Sequence, residues 1–171
     1  KPFIKKYEQA TKRRQHWSNI LNDYKRYDYL PFNVWRTFSP GLRSKFYQCF
    51  IGNKTNTDFT LKASLPITEE LMELLGLYAA EGTSFISKTN RVVFSFGARE
   101  KQLISYTQDL IYKVFGYQAR PHYCHESATT VQIDSLAIAL LFQEIFQAGA
   151  NSHHKKISPL VWNVKPYFRE R

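Results

Sequence analysis

Leu74-Leu75-Gly76-Leu77-Tyr78-Ala79-Ala80-Glu81-Gly82 is the stretch whose reading decides the fold. Thr68 stands ahead of it as an N-cap, with Glu69 and Glu70 in the first turn, where carboxylates suit the positive end of a helix dipole. A helix from there to about Ala80 points Leu74, Leu77 and Tyr78 toward its own sheet. Gly76 and Ala80 are four residues apart and share a face, where small side chains let a second helix backbone come close. Leu75 is assigned to that same helix-contact surface. Glu81 falls at the C-terminal end, where the dipole disfavours an anion, so a carboxylate kept there calls for a cation such as a divalent metal. The plainer alternative makes Glu81 an exposed helix-end residue and Gly82 an ordinary glycine just past a helix. Taken alone, the residues favour the plainer alternative.

Downstream the pattern is regular. Gly82 and Thr83 break the helix, and Ser84–Ser87 and Val92–Phe96 form two short extended runs around the polar Lys88-Thr89-Asn90. Residues 100–115 predict an amphipathic helix with Leu103, Ile104, Leu110, Ile111 and Val114 on its apolar side, closed by Gly116. Ala119–Cys124 and Thr129–Asp134 form a second hairpin, and Leu136–Phe146 a strongly apolar helix ending in Ala148-Gly149-Ala150. The order α-ββ-α-ββ-α predicts an α+β fold with helices on one face of an antiparallel sheet. Alternation turns Val92, Phe94, Phe96, Ala119, Pro121, Tyr123, Val131 and Ile133 inward. Arg91, Val93, Ser95, Arg120, His122, Cys124, Thr130 and Gln132 then face out, a polar surface that suits groove reading and equally suits plain solvation.

Composition narrows the classes. The 171 residues are 43% apolar and 22% charged, enough for a packed core. No apolar run approaches the roughly 20 residues that cross a bilayer, and no signal-peptide pattern opens the chain, so an intracellular protein without a membrane partner is expected. Cys49 and Cys124 are far apart, which is neither a disulfide framework nor a zinc site. The net charge of +10 is unevenly laid out. Residues 1–66 hold thirteen Lys/Arg against four Asp/Glu, residues 67–152 six against nine, and residues 153–171 five against one. Two basic arms around a mildly acidic middle point to a polyanionic partner.

The nine-residue stretch, read as LLGLYAAEG, resembles the LAGLIDADG motif of homing endonucleases. So do the element order after Pro66, the segment Val92-Val93-Phe94-Ser95-Phe96-Gly97 with Glu100, and the ending Lys155-Lys156-Ile157-Ser158-Pro159. The resemblance covers about Pro66 to Pro159. It implies a half-domain at residues 66–152; residues 1–65 lie outside it as a basic, aromatic-rich and mainly helical extension, and residues 153–171 form a basic tail or linker. It implies further that two motif helices pack side by side and that each carries an acid to the floor of a DNA saddle. Glu81, with Gly82 beside it, would then be a ligand of Mg²⁺ that cuts double-stranded DNA across the minor groove, the activity behind intron or intein mobility. The sheet would lie in the major groove, giving DNA contacts to Arg91, Ser95, Arg99, Arg120, His122, Thr130, Gln132 and Lys88, with Arg13 and Arg14 adding backbone contacts.

Two departures from the family qualify this. Its polar residue near the end of the second strand is replaced here by Phe96 or Gly97. Its other basic position, after the last helix, can be met by Lys155 or Lys156, which read equally well as phosphate clamps. His153 and His154 are adjacent and splay apart as surface residues, and His122 and His125 lack the spacing of a metal pair. Only one motif is present, so a cutter needs a homodimer or a missing C-terminal half. Lys1 in place of Met suggests a piece of a longer protein. An intact intein is not expected, since Lys1 is not Cys, Ser or Thr and the chain does not end in His-Asn. Over residues 1–65, Arg13, Arg14, Lys25, Arg26, Arg36, Arg43 and Lys45 interleave with Trp17, Tyr24, Tyr27 and Trp35. They suit contacts along a nucleic-acid backbone, or aromatics covering a core beneath solvated charges. The competing function is a nucleic-acid-binding protein without cleavage, an RNA maturase or a DNA-binding regulator. A protein-interaction module would explain the Gly76/Ala80 face but not the basic arms.

Overall fold

The computed structural model describes residues 38–53, 56–86, 89–125 and 127–164, with Asn22, Arg26 and Trp35. Of the extension expected over residues 1–65, most of the part up to Thr37 lies outside the described residues, as do Arg13, Arg14 and Lys88. The chain divides into a smaller unit, Lys1–Thr57 with Lys62–Ser64, and a larger one, Asp58–Leu61 with Leu65–Arg171. Among the described residues no helix is long and apolar enough to cross a membrane.

In the smaller unit Asn22, Arg26 and Trp35 are helical, and the residues described beyond them include strand as well as helix. Its described part has a four-residue helix α1 (Pro40–Arg43), a 3-10 turn (Ser44–Phe46) and strand β1 (Phe50–Asn53), which joins β2 (Asn56–Lys62) in a two-stranded sheet. Helical structure in this described part ends at Phe46. The strand run Phe50–Asn53 is short and broken by Gly52 in sequence, so alternation gave no signal for it. The Phe38 and Phe46 rings meet at a tilt, 5.7 Å between centroids, and the Arg43 guanidinium lies 5.6 Å over the Trp35 ring.

The larger unit is built from helix α2 (Glu69–Glu81), strands β3 (Gly82–Phe85) and β4 (Arg91–Gly97), helix α3 (Lys101–Phe115), strands β5 (Arg120–His125) and β6 (Ala128–Ile133), and helix α4 (Leu136–Leu140). A π turn, Leu141–Ile145, continues α4, and a short helix α5 (Leu160–Asn163) follows. The four strands are antiparallel in the order β3-β4-β6-β5. Each long helix therefore feeds an edge strand and then a central one, twice over. This is the expected α+β order of helices and hairpins.

Thr68 caps α2 as expected, its hydroxyl accepting from Leu71 N–H at 3.3 Å. Thr68→Ala should cost about 1 kcal/mol. In a domain of this size that lowers the melting midpoint by roughly 4–8 °C, read by circular dichroism. A midpoint that does not move would show that the cap contributes nothing. Gly116 closes α3 in the left-handed conformation at φ 70°, where glycine carries no steric penalty.

The core lies between helices and sheet. Leu71, Leu74 and Tyr78 of α2, Leu110 and Ile111 of α3, and Ile138 and Phe142 of the last helix are buried against Val92, Phe94, Val131 and Ile133. These are the inward positions that alternation assigned, and burying each large side chain stabilises by about 2 kcal/mol. The outlier is Tyr123, expected inside and 75% exposed. It sits on edge strand β5, where the register with β6 shifts between Tyr123 and His125, and Pro121 is only half-buried. The register is still regular at Tyr123, which pairs with buried Thr129, so the side chain is exposed because it lies near the end of an edge strand and not because the alternation is reset.

Candidate nucleic-acid interface and acidic site

The open face of the sheet is assembled by register. Thr83, Val93, Gln132 and Arg120 form one cross-strand row, Ser95, Thr130 and His122 the next, and Phe85 pairs with Arg91. Strand pairing therefore brings Arg91, Ser95, Arg120, His122, Thr130 and Gln132 onto one surface. Their side chains are already ordered among themselves. Gln132 Nε2 donates to Thr130 Oγ1 at 2.9 Å, and the Thr130 hydroxyl donates to the His122 carbonyl at 3.4 Å. The Cys124 thiol lies 3.6 Å from the same hydroxyl, which makes it part of this surface too. Arg91 is less available than its sequence suggested, because Asp134 holds its guanidinium at 2.9 Å. Arg99 is exposed in the turn after β4, away from these rows, and next to Glu100, whose carboxylate accepts from Gly97 N–H at 2.6 Å.

The acidic site stands at the end of α2. Glu81 is the last helical residue and exposed, and the chain turns from it directly into β3 with no intervening loop. Gly82 is not the left-handed cap of the plainer alternative, since its backbone is extended at φ −83°. Its lack of a side chain has another cause: a Cβ there would fall on the Tyr78 ring and 2.7 Å from Tyr78 Cα. The tight helix-to-strand junction that presents Glu81 therefore requires glycine next to it. Among the described residues the ion pairs are Arg91–Asp134 and Lys113–Asp109, and Glu81 belongs to neither.

On the helix flank, Gly76 and Ala80 are exposed, and a side chain added at Gly76 would meet nothing within 4 Å. That face is open. Leu75 corrects the expectation, for it is 4% exposed and packs in the chain's own core. At 100° per residue it sits one position round from Gly76, far enough to face inward with Leu71 and Tyr78. Tyr106 of α3 donates to the Glu73 carboxylate on the flanking turn, and this hydrogen bond holds the phenol pKa up to about 12.

Of the two candidate lysines, Lys155 reaches the acidic site. Its Nζ donates to the Ala80 carbonyl at 2.7 Å, one residue before Glu81. A cation on the last carbonyls of a helix also complements its dipole. Lys156 is exposed, and its backbone N–H donates to Ala148 O at 3.0 Å. Phe96 is buried at 4% exposure and Gly97 has no side chain, so neither offers a polar group near Glu81. His153 and His154 are exposed on the same turn as the lysines.

Sequence reasoning missed the polar groups beneath this site. Tyr78, read only as a core residue, carries a hydroxyl hydrogen-bonded to Ser84 Oγ at 2.7 Å and to Gly149 O at 2.5 Å. The available signal was a serine at the inward-facing position of β3, opposite a tyrosine on the buried face of α2.

A hard divalent ion takes oxygen donors, and the Glu81 carboxylate and neighbouring helix carbonyls are of that kind. Among the described residues, however, no three His, Cys, Asp or Glu side chains share a metal-sized site. Glu81 is a single carboxylate donor there, which a hard divalent ion accepts but which alone does not make a metal site.

No protein-family model matches the chain. It is 25% identical over 150 residues to a DNA polymerase II large subunit of Thermococcus kodakarensis. The alignment takes in 86% of this chain and spans only 8% of that protein's length.

Proposed function

We propose that the chain is one half of a LAGLIDADG-type, Mg²⁺-dependent double-strand DNA endonuclease. The observation that carries this reading is Glu81, an exposed, unpaired carboxylate at the end of a helix whose Gly76–Ala80 flank stands open. A second copy of that helix, packed on the open flank, brings a second carboxylate alongside the first and completes what one chain lacks. The paired Glu81 carboxylates would hold Mg²⁺, which when bound would supply water activation and charge stabilisation at the scissile phosphate. The chain's own residues do the rest. Glu81 holds the ion, Gly82 allows the junction that presents Glu81, and the Lys155 ammonium offers a point charge to a phosphate oxygen. Gln132, Thr130, His122 and Ser95 offer donors and acceptors of the kind that read base edges in a major groove. Arg120, Arg99 and Lys156 suit phosphate contacts that set register. Similarity to part of a DNA polymerase subunit is in keeping with a DNA partner and does not bear on cleavage.

One observation favours the second reading, a nucleic-acid-binding protein on the same scaffold without cleavage. Buried Phe96 and Gly97 stand where the family carries a polar residue near the scissile phosphate. Incubation of the chain with a randomised-target plasmid library, in Mg²⁺ and in EDTA, separates the two. The endonuclease reading expects linear product in Mg²⁺ alone. Salt-sensitive DNA or RNA binding with no product in either condition would sink it and leave the binding protein.

A further inference from the structure

The polar groups beneath the α2–β3 junction form a closed set. The Tyr78 side chain is fully buried, yet its hydroxyl is bonded to Ser84 Oγ and donates to the Gly149 carbonyl. Gln143, from the π turn, donates through Nε2 to Ser84 Oγ at 2.9 Å and to Ser84 O at 3.0 Å. Ser84 N–H in turn donates to Ala150 O at 2.8 Å. Helix and strand thus grip one piece of chain, residues 149–150, and the π turn holds the strand through Ser84.

That piece begins the loop carrying both lysines. Gly149 takes φ 81°, and a Cβ there would fall on the His154 carbonyl and 2.9 Å from Lys155 Cα, so the loop folds back onto its own start. Lys156 N–H closes it on Ala148 O. Asn151 Oδ1 braces the turn, accepting from His153 N–H at 3.2 Å and lying 2.9 Å from His154 Nδ1. From this closed loop Lys155 reaches back to Ala80 O.

Packing alone does not call for these groups. The Tyr78 ring stacks on Phe142 at 4.4 Å between centroids, and phenylalanine would supply that contact equally. What the hydroxyl adds is a grip on the loop. We infer that the Tyr78–Ser84–Gln143 network is a positioning device, which fixes the 148–156 loop and so sets the Lys155 ammonium one residue from Glu81. Tyr78 and Ser84 are positioning residues, and Lys155 is the group they act through. The ammonium rests on a carbonyl and not on a carboxylate, which leaves it able to meet an incoming phosphate oxygen. Burial also raises the Tyr78 pKa, so the phenol stays a donor at neutral pH. The catalytic consequence rests on the endonuclease reading; the positioning does not.

The test is competitive acylation of lysines without DNA, comparing Lys155 with Lys156 by peptide mass spectrometry. In the wild type Lys155 should react more slowly than exposed Lys156. In Tyr78→Phe and Ser84→Ala the Lys155/Lys156 ratio should rise about fivefold, the factor that goes with one lost hydrogen bond, while near-ultraviolet circular dichroism stays native. Equal reactivity in the wild type, or an unchanged ratio in the folded variants, overturns the inference. If Tyr78→Phe does not fold, Ser84→Ala and Gln143→Ala decide by the same ratio. In the Mg²⁺ cleavage assay Tyr78→Phe should lower kcat and leave KM unchanged. A wild type that does not cleave would defeat the endonuclease reading, and the acylation ratio would still decide the positioning.

Discussion

Glu81→Gln should reduce Mg²⁺-dependent cleavage by on the order of a thousandfold, since several kcal/mol of metal-derived stabilisation is lost and each 1.36 kcal/mol is a factor of ten. DNA affinity should stay within a few fold. The substitution keeps the shape of an exposed side chain that packs on nothing in the core, so the fold has no reason to change. Its effect on stability should have the opposite sign. At a helix C-terminus a neutral amide is better placed than a carboxylate, which the dipole disfavours by about 0.3–1 kcal/mol. A catalytic ligand therefore gives less cleavage together with an equal or slightly higher melting midpoint. A plain helix-end residue gives only the second effect. Cleavage that survives in Glu81→Gln would remove the residue from the chemistry, and plasmid linearisation beside a thermal melt reads both at once.

What the sequence disclosed about this fold follows from which interactions are local. The N-cap at Thr68, the left-handed Gly116, and the inward runs Val92-x-Phe94-x-Phe96 and Val131-x-Ile133 are set by spacing within one element, and all are found where that spacing assigns them. Tyr123 and Leu75 went the other way. The first depends on its place near the end of an edge strand, which strand alternation cannot foresee. The second depends on how wide a stripe of α2 its sheet covers. The acidic site was legible to the same degree. Glu81 at a helix end and a lysine after the last helix could be read from the chain, but a hydrogen bond spanning 75 residues from Lys155 to Ala80 could not. Nor could the task of Gly82, whose missing side chain makes room for Tyr78 and does not serve a left-handed turn. The buried hydroxyls of Tyr78 and Ser84 looked like ordinary sequence because their partner, the Gly149 backbone, has no side-chain identity to read.

Phe142→Ala should be the most damaging single core change, costing about 3–5 kcal/mol, the range for removing a buried aromatic and leaving a cavity. Phe142 has no exposed surface and lies at the centre of the aromatic cluster. It stacks on Tyr78 at 4.4 Å and makes edge contacts with Phe94, Phe115 and Phe146 at 6.4, 6.2 and 5.5 Å between centroids. Those rings come from α2, β4, α3 and the end of the π turn, so one side chain joins every layer of the larger unit. Its neighbours are rigid rings, which collapse poorly into a void, and this puts the cost toward the upper part of the range. Domains of this size hold only about 5–15 kcal/mol in total. The midpoint should therefore fall by roughly 12–40 °C, at about 4–8 °C per kcal/mol. The same loss should reach the site, because the π turn also carries Gln143, whose amide holds Ser84. A scanning-calorimetry shift below a few degrees would show that the cluster closes over the gap and that the layers are held elsewhere. A large shift, with the Lys155/Lys156 acylation ratio rising well below the midpoint, would show that core packing and the site are one cooperative structure.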